Sequence, residues 1–174
     1  MEIVILRRQV AGEDDVILVA ARDGNEGKPY ALSVEVADVT PKEAAEAQAE
    51  IDALIKKGDL SRRRLWYQKV VDRFHKQDLE PTVSIEVHVL RIGDVAIATN
   101  PFELFLDYGV QIQGRSKALQ TFVLQLTCGS RGYLATERAV KGGHYSAVVA
   151  SNQVGPEGGQ LLVDRTVEWI NSFW

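Results

Sequence analysis

The sequence predicts an α/β fold: a mixed sheet with a parallel βαβ crossover unit, flanked by helices that include an antiparallel helix pair. Three observations predict it. Two apolar, β-branched runs, 95–99 and 121–126, enclose a stretch of helical spacing; strands joined through a helix run parallel, with a right-handed connection. Two helical stripes stand before them with almost no linker between, as in an antiparallel pair. Residues 30–36 and 83–90 alternate apolar and polar, the pattern of half-buried strands.

The elements follow in order. Glu2–Leu6 and Val16–Ala21 read as strands of a hairpin around the turn cluster Gly12-Glu13-Asp14-Asp15, and 23–27 reads as a loop. Tyr30–Val36 reads as an edge strand. Thr40-Pro41-Lys42-Glu43 starts a helix: Thr40 caps, Pro41 fits the first turn and Glu43 completes a capping box. Ala44, Ala47, Ile51, Leu54 and Ile55 form its apolar stripe, and Gly58 stops it. The second helix, 61–76, is expected to turn Leu65, Trp66, Val70, Val71 and Phe74 inward, with Trp66 and Tyr67 as packing residues.

Leu79-Glu80-Pro81 breaks that helix. A strand from Val83 to Leu90 turns at Gly93-Asp94 and returns as Val95–Thr99, whose unbroken apolarity predicts burial on both faces. Asn100-Pro101 ends it. Helical spacing starts at Phe102 and continues through Phe105, Leu106, Val110 and Ile112, closing at Arg115-Ser116-Lys117. Thr121–Leu126 is expected as another buried strand. A short helix at 136–141 stops at Gly142-Gly143. The last helix, about 157–173, offers Leu161, Leu162, Val163, Val167 and Ile170 as its apolar face, with Trp169 and Trp174 near the end.

Composition narrows the function classes. The 174 residues suit a single domain, 1–174, and 45% hydrophobic residues suffice for a core. A net charge of -4 gives no reason to expect nucleic acid; Lys56-Lys57 and Arg62-Arg63-Arg64 have no aromatic platform or phosphate loop beside them and read as a solvated junction. One cysteine allows no internal disulfide and no Cys-rich metal site. No apolar run approaches the ~20 residues that span a bilayer, and MEIVILRRQV lacks the pattern of a signal peptide. The compartment stays open, and a secreted or periplasmic full-length protein is compatible.

Few residues can carry chemistry. In a parallel pair both carboxyl ends lie on one edge, where open α/β sheets bind ligands. Glu103 leaves one predicted strand and Tyr133 follows the other, so the two can converge across about 30 residues of sequence. Glu103 is also expected at a helix amino terminus, where the dipole favours its ionised form. His75 reads as exposed, His88 as a structural residue on the polar face of its strand, and His144 as a surface or hydrogen-bonding residue. Cys128 reads as a buried small apolar residue. Cys128-Gly129-Ser130-Arg131-Gly132 matches no phosphate-loop fingerprint, and no serine stands in a nucleophile elbow.

One series of motifs carries a family resemblance. Asn100-Pro101-Phe102-Glu103-Leu104-Phe105, the helix around Gly109, Gln120-Thr121-Phe122-Val123, Gly132-Tyr133-Leu134-Ala135-Thr136, Gly142-Gly143-His144-Tyr145 and Val154-Gly155-Pro156-Glu157-Gly158-Gly159 occur in order. Together they resemble the carboxyl-terminal part of the bacterial neutral/alkaline ceramidase-like proteins. The resemblance covers 83–174; 1–82 carry no signature of it. It implies that the chain is the carboxyl-terminal portion of a longer protein. In that family two histidines of the amino-terminal part, a glutamate and a tyrosine hold zinc, which acidifies a water that attacks an amide. Carried over, the metal ligands are Glu103 and Tyr133, and the implied reaction is zinc-dependent hydrolysis of an N-acyl amide such as an N-acyl sphingoid base.

Two departures matter. Pro101-Phe102-Glu103 stands where the family has Pro-Gly-Glu, and the histidine-bearing part is absent. The chain by itself is therefore expected to assemble no zinc site and to show no hydrolase activity. The expected partner is the amino-terminal remainder of the protein or a second copy, covering Trp66, Trp169 and Trp174. The alternative is a non-catalytic α/β binding or assembly domain.

Overall fold

A computed structural model describes residues 4–10, 13–19 and 21–23 as strands, and 28–59 and 61–174 in full. The expected features at Glu2, Gly12 and 24–27 lie outside the described residues. β1 (Val4–Val10) and β2 (Glu13–Val19) pair antiparallel, as the hairpin pattern predicts. β4 (Tyr30–Glu35) pairs antiparallel with β5 (Thr82–Val87), and its burial alternates, with Leu32 and Val34 inward.

The central sheet has the order β3-β6-β7-β9, from β3 (Ala21–Asp23), β6 (Val89–Ile92), β7 (Val95–Thr99) and β9 (Gln120–Leu124). β6 and β7 form a hairpin around Gly93, whose φ of 58° is the left-handed conformation that glycine adopts without strain. β7 and β9 are parallel, joined through α3 (Leu106–Arg115). This is the predicted crossover unit.

α1 (Pro41–Lys56) starts with the predicted capping box: Thr40 Oγ1 accepts the Glu43 N–H, and the Glu43 carboxylate accepts the Thr40 N–H at 2.8 Å. α2 (Arg62–Lys76) packs against it. This pair has a small core of its own, Val39, Ala44, Ala47 and Val70. The main core lies between the sheet strands, α3 and α5 (Pro156–Asn171), with Phe102, Ile112, Leu134, Leu162, Val163 and Ile170 nearly inaccessible. Gly159 lets α5 approach α3, because a Cβ there would stand 2.4 Å from the Tyr108 ring.

Several expectations need correction. The helix does not start at Phe102. Residues 103–105 are drawn into a backbone ladder instead, so Glu103 lies in a strand and α3 begins at Leu106. The phase changes with it: Tyr108 and Ile112 are buried, whereas Leu106 and Val110 are exposed. The 83–90 strand is interrupted at His88, whose N–H donates to Thr99 Oγ1 at 2.9 Å. In α2 only Val70 is buried and Leu65 is exposed; in α1 Ile55 is exposed.

β9 is not a buried strand. It ends the sheet order, and Phe122 and Leu124 are 50% and 46% exposed. The register explains why. Ala96, Ala98 and Thr121 face α3 and α5 and are buried. The opposite face presents Leu90, Ile92, Val95, Ile97, Phe122 and Leu124, with no helix packed on it among the described residues. On this sheet face Phe122 and Leu124 are exposed and Leu90, Ile92, Val95 and Ile97 half-buried; Trp174, 37% exposed, adds to the open apolar surface. Trp169 stacks on Tyr30 with ring centroids 4.2 Å apart, and the Arg91 guanidinium lies 4.0 Å from the Trp174 ring centre.

Candidate functional site

The site is built by two turns. Asn100 is buried where β7 ends; its Oδ1 accepts the Phe102 N–H at 3.1 Å, and its backbone N–H donates to Leu124 O at 2.9 Å. Phe102 is thereby driven into the core, and the next residue turns outward. The second turn centres on Gly132, whose φ is 74° and where a Cβ would stand 2.7 Å from Ser151 O. No other residue fits that approach without displacing backbone.

These turns bring β8 (Glu103–Leu104) beside β10 (Tyr133–Leu134) in parallel, with Glu103 directly opposite Tyr133. The Glu103 N–H donates to Gly132 O at 2.9 Å, and the Phe105 N–H to Leu134 O at 3.3 Å. The two residues singled out in the sequence therefore meet at one edge.

Their side chains interact as well. The Tyr133 hydroxyl lies 2.9 Å from that of Tyr145, with the Glu103 carboxylate close enough to act on it. The Tyr145 hydrogen bond, then the neighbouring Glu103 carboxylate, hold the Tyr133 phenol well above its ordinary pKa. The rings of Tyr133 and Tyr145 meet edge to face, 5.7 Å apart, and His144 meets Tyr145 at 5.0 Å. His144 and Tyr145 are exposed at the end of α4 (Glu137–Gly142), which Thr136 caps and Gly143 terminates.

Asn152 holds this loop in place. It is buried; its Oδ1 accepts the Ala135 N–H at 3.0 Å, and its Nδ2 donates to Ser146 O and Val148 O. Arg73 of α2 reaches the same loop, donating to the carbonyls of Asn152 and Val149 at 2.8 Å each. The helix pair thus braces the segment that carries Tyr145. A groove of about 710 Å³ lies along this contact, lined by Trp66, Lys69, Arg73, Arg131 and Ser151. Neither Glu103 nor Tyr133 lines it, so the pair occupies a different part of the surface.

Of the histidines, His75 and His144 are exposed, as expected, and His88 is half-buried beside Glu86. Cys128 is exposed rather than buried. Its loop leaves β9 through left-handed backbone at Leu126 and Cys128, φ 56° and 59°, which turns the thiol outward. Among the described residues, His, Cys, Asp and Glu ligand atoms gather tightly at Glu86, His88 and Cys128, a group that excludes Glu103. Tyr145 escaped the sequence reading. Its signals were its place after the Gly142-Gly143 turn and its membership of the Gly142-Gly143-His144-Tyr145 motif.

No helix of the described residues is long and apolar enough to cross a membrane. No family model matches the sequence, and no curated protein matches it. Two solved structures are similar to part of it, each with a TM-score of 0.45: a ceramidase complexed with C2, at 16% identity, and neutral ceramidase from Pseudomonas aeruginosa, at 17%. Each likeness covers 53% of this chain and 15% of the solved chain, so this chain spans a small part of those proteins' length.

Proposed function

We propose that this chain is the carboxyl-terminal part of a ceramidase-like, zinc-dependent amide hydrolase, to which it contributes Glu103 and Tyr133 as metal ligands and one wall of the cleft. The observation that supports this reading is the parallel register that sets Glu103 directly opposite Tyr133 at one edge. The donor set fits half of a zinc shell. A carboxylate and a phenol are both oxygen ligands, and an open catalytic site needs a third protein ligand or more beside a water. Two imidazoles from outside the chain would complete it.

Zinc, when bound, supplies an acidified water and polarises the amide carbonyl. The chain's own residues have definable tasks. Glu103 supplies the negative charge at the edge. Tyr133, held protonated by its neighbours, is a hydrogen-bond donor at neutral pH, and a cation beside it would reverse that shift. Tyr145 orients the Tyr133 hydroxyl. Asn152 and Gly132 fix the backbone beneath both. The substrate this reading implies is an N-acyl amide, with an N-acyl sphingoid base as the lipid case.

The experiment is hydrolysis of an N-acyl amide by the protein purified from its native source, with and without a chelator. Chelator-sensitive hydrolysis that falls by about a hundredfold or more in Glu103→Gln supports the reading. Hydrolysis unaffected by that change contradicts it.

The alternative reading, a binding or assembly domain without chemistry, draws on the open sheet face. Leu90, Ile92, Val95, Ile97, Phe122 and Leu124 make an apolar surface of the kind that partners cover. We infer that the remainder of a longer protein covers it. Light scattering on the isolated chain separates the possibilities: a dimer that Phe122→Asp dissociates assigns the face to a second copy instead.

A further inference from the structure

A second group of side chains takes no part in the Glu103–Tyr133 edge. Glu86, near the end of β5, and His88, in the break that follows it, are two residues apart, with Oε1 and Nε2 2.8 Å from each other. Cys128 arrives from the loop after β9 and brings its thiol beside the Glu86 carboxylate. One imidazole nitrogen, one carboxylate oxygen and one sulfur thus lie within 4.8 Å of one another. Solvent reaches them: the His88 and Glu86 side chains are 37% and 45% exposed, and Cys128 is exposed. A depression of about 270 Å³ opens beside them, and Arg131 on its rim is turned to the Ser84 carbonyl at 3.4 Å.

A nucleophilic cysteine is the competing assignment, and the order of the groups speaks against it. Activation requires the base next to the sulfur and the acid behind the base. Here the imidazole is taken up by the carboxylate, and that carboxylate near the thiol holds the thiol above its ordinary pKa, in its protonated, weakly reactive form. The same three atoms suit a cation. Three donors of different softness converge from two separate segments, and a positive ion at their centre would favour the thiolate and the carboxylate together.

We propose that Glu86, His88 and Cys128 form a binding site for a divalent transition metal of the zinc type, with the remaining position open to water. Thiolate with imidazole selects zinc or cobalt over magnesium and calcium, which prefer all-oxygen shells. Bonds of about 2.0–2.3 Å in a tetrahedral shell place ligand atoms roughly 3.3–3.7 Å apart. The 2.8 Å His–Glu contact must therefore open slightly and the sulfur close in, by rotation of exposed side chains. Binding breaks the His88–Glu86 hydrogen bond, leaves the imidazole nitrogen unprotonated and releases the thiol proton to solvent. The site is independent of the proposed hydrolase reading, and it departs from the expectation that this chain alone holds no metal.

The test is titration of the reduced 174-residue chain with Co²⁺, followed by the thiolate-to-cobalt charge-transfer absorption. The expected result is a band that saturates at one cobalt per chain and bleaches on addition of zinc. Cys128→Ser abolishes the band, His88→Ala weakens binding about tenfold or more, and Glu103→Gln changes neither. Circular dichroism checks that each variant is folded, and Cys128→Ala serves if the serine variant is not. Absence of the band overturns the proposal. So does cobalt binding that survives loss of both Cys128 and His88, which would be diffuse surface binding only.

Discussion

The Glu103–Tyr133 edge and the Glu86–His88–Cys128 cluster lie on neighbouring strand ends, yet they are held by different means. The first is fixed by backbone. Its two residues are partners in a parallel ladder, clamped by Gly132 and by the bonds of Asn100 and Asn152. The second is fixed by side chains, with an exposed loop supplying one of its three members. The donors differ too: oxygen only in one, and nitrogen, oxygen and sulfur in the other. A backbone-held pair tolerates side-chain exchange with its geometry intact and is broken by changes to the turns beneath it. A side-chain-held cluster responds in the opposite way.

That contrast orders the expected effects. The largest belongs to the glycines at close approaches. Gly132→Ala imposes φ 74° on an alanine and pushes its Cβ into the Ser151 carbonyl, and Gly159→Ala drives a methyl into the Tyr108 ring. Each is expected to lower stability by about 1–3 kcal/mol, measured by denaturant unfolding. Next comes Asn152→Ala, which strands the buried Ala135 N–H and frees two carbonyls, for a loss of about 1–3 kcal/mol. Gly132→Ala and Asn152→Ala should also loosen the Tyr133–Tyr145 contact. Neither Glu103→Gln nor Cys128→Ser touches a buried group, and both should leave stability nearly unchanged. An unfolding midpoint that drops as far in Glu103→Gln as in Asn152→Ala would erase the distinction.

A smaller effect concerns alkaline pH. Burial, then the charges of Glu157 and Asp107, push the Tyr108 phenol up to about 12, where its hydroxyl donates to the carbonyls of Ala135 and Pro156. A phenol whose folded pKa is raised binds its proton more tightly folded than unfolded. Its contribution is complete below the ordinary value of about 10 and is lost as pH rises from there towards 12. Tyr133 acts in the same direction. Stability should therefore fall across this window, less steeply in Tyr108→Phe, as thermal melts at stepped pH will show.

The two groupings also differ in how far the sequence discloses them. The parallel crossover was legible because strand and helix periods alternate along 95–126, and parallel topology alone sends Glu103 and Tyr133 to one edge. The phase of α3 was not legible. Phe102 and Phe105 fit a helical stripe, but hydrogen bonds to the carbonyls of Gly132 and Leu134, each 29 residues distant, hold 103–105 extended. In the sequence Glu86 and His88 flank Val87 and so read as one strand face, although the strand breaks at His88. Cys128 could not be added to them, because its direction depends on two left-handed residues in a loop that local propensity disfavours. Tyr145 was hidden for a related reason: a buried asparagine, not a periodic pattern, folds its loop back onto β10.

The central claim is that Glu103 and Tyr133 form one electrostatic site. Ionisation of Tyr133, followed by NMR of ring-labelled tyrosine at alkaline pH in the wild-type chain and in Glu103→Gln, tests it most directly. Removing the carboxylate charge is expected to bring the Tyr133 phenol back towards its ordinary range, with Tyr108 unmoved. A Tyr133 that titrates identically in both proteins would contradict it.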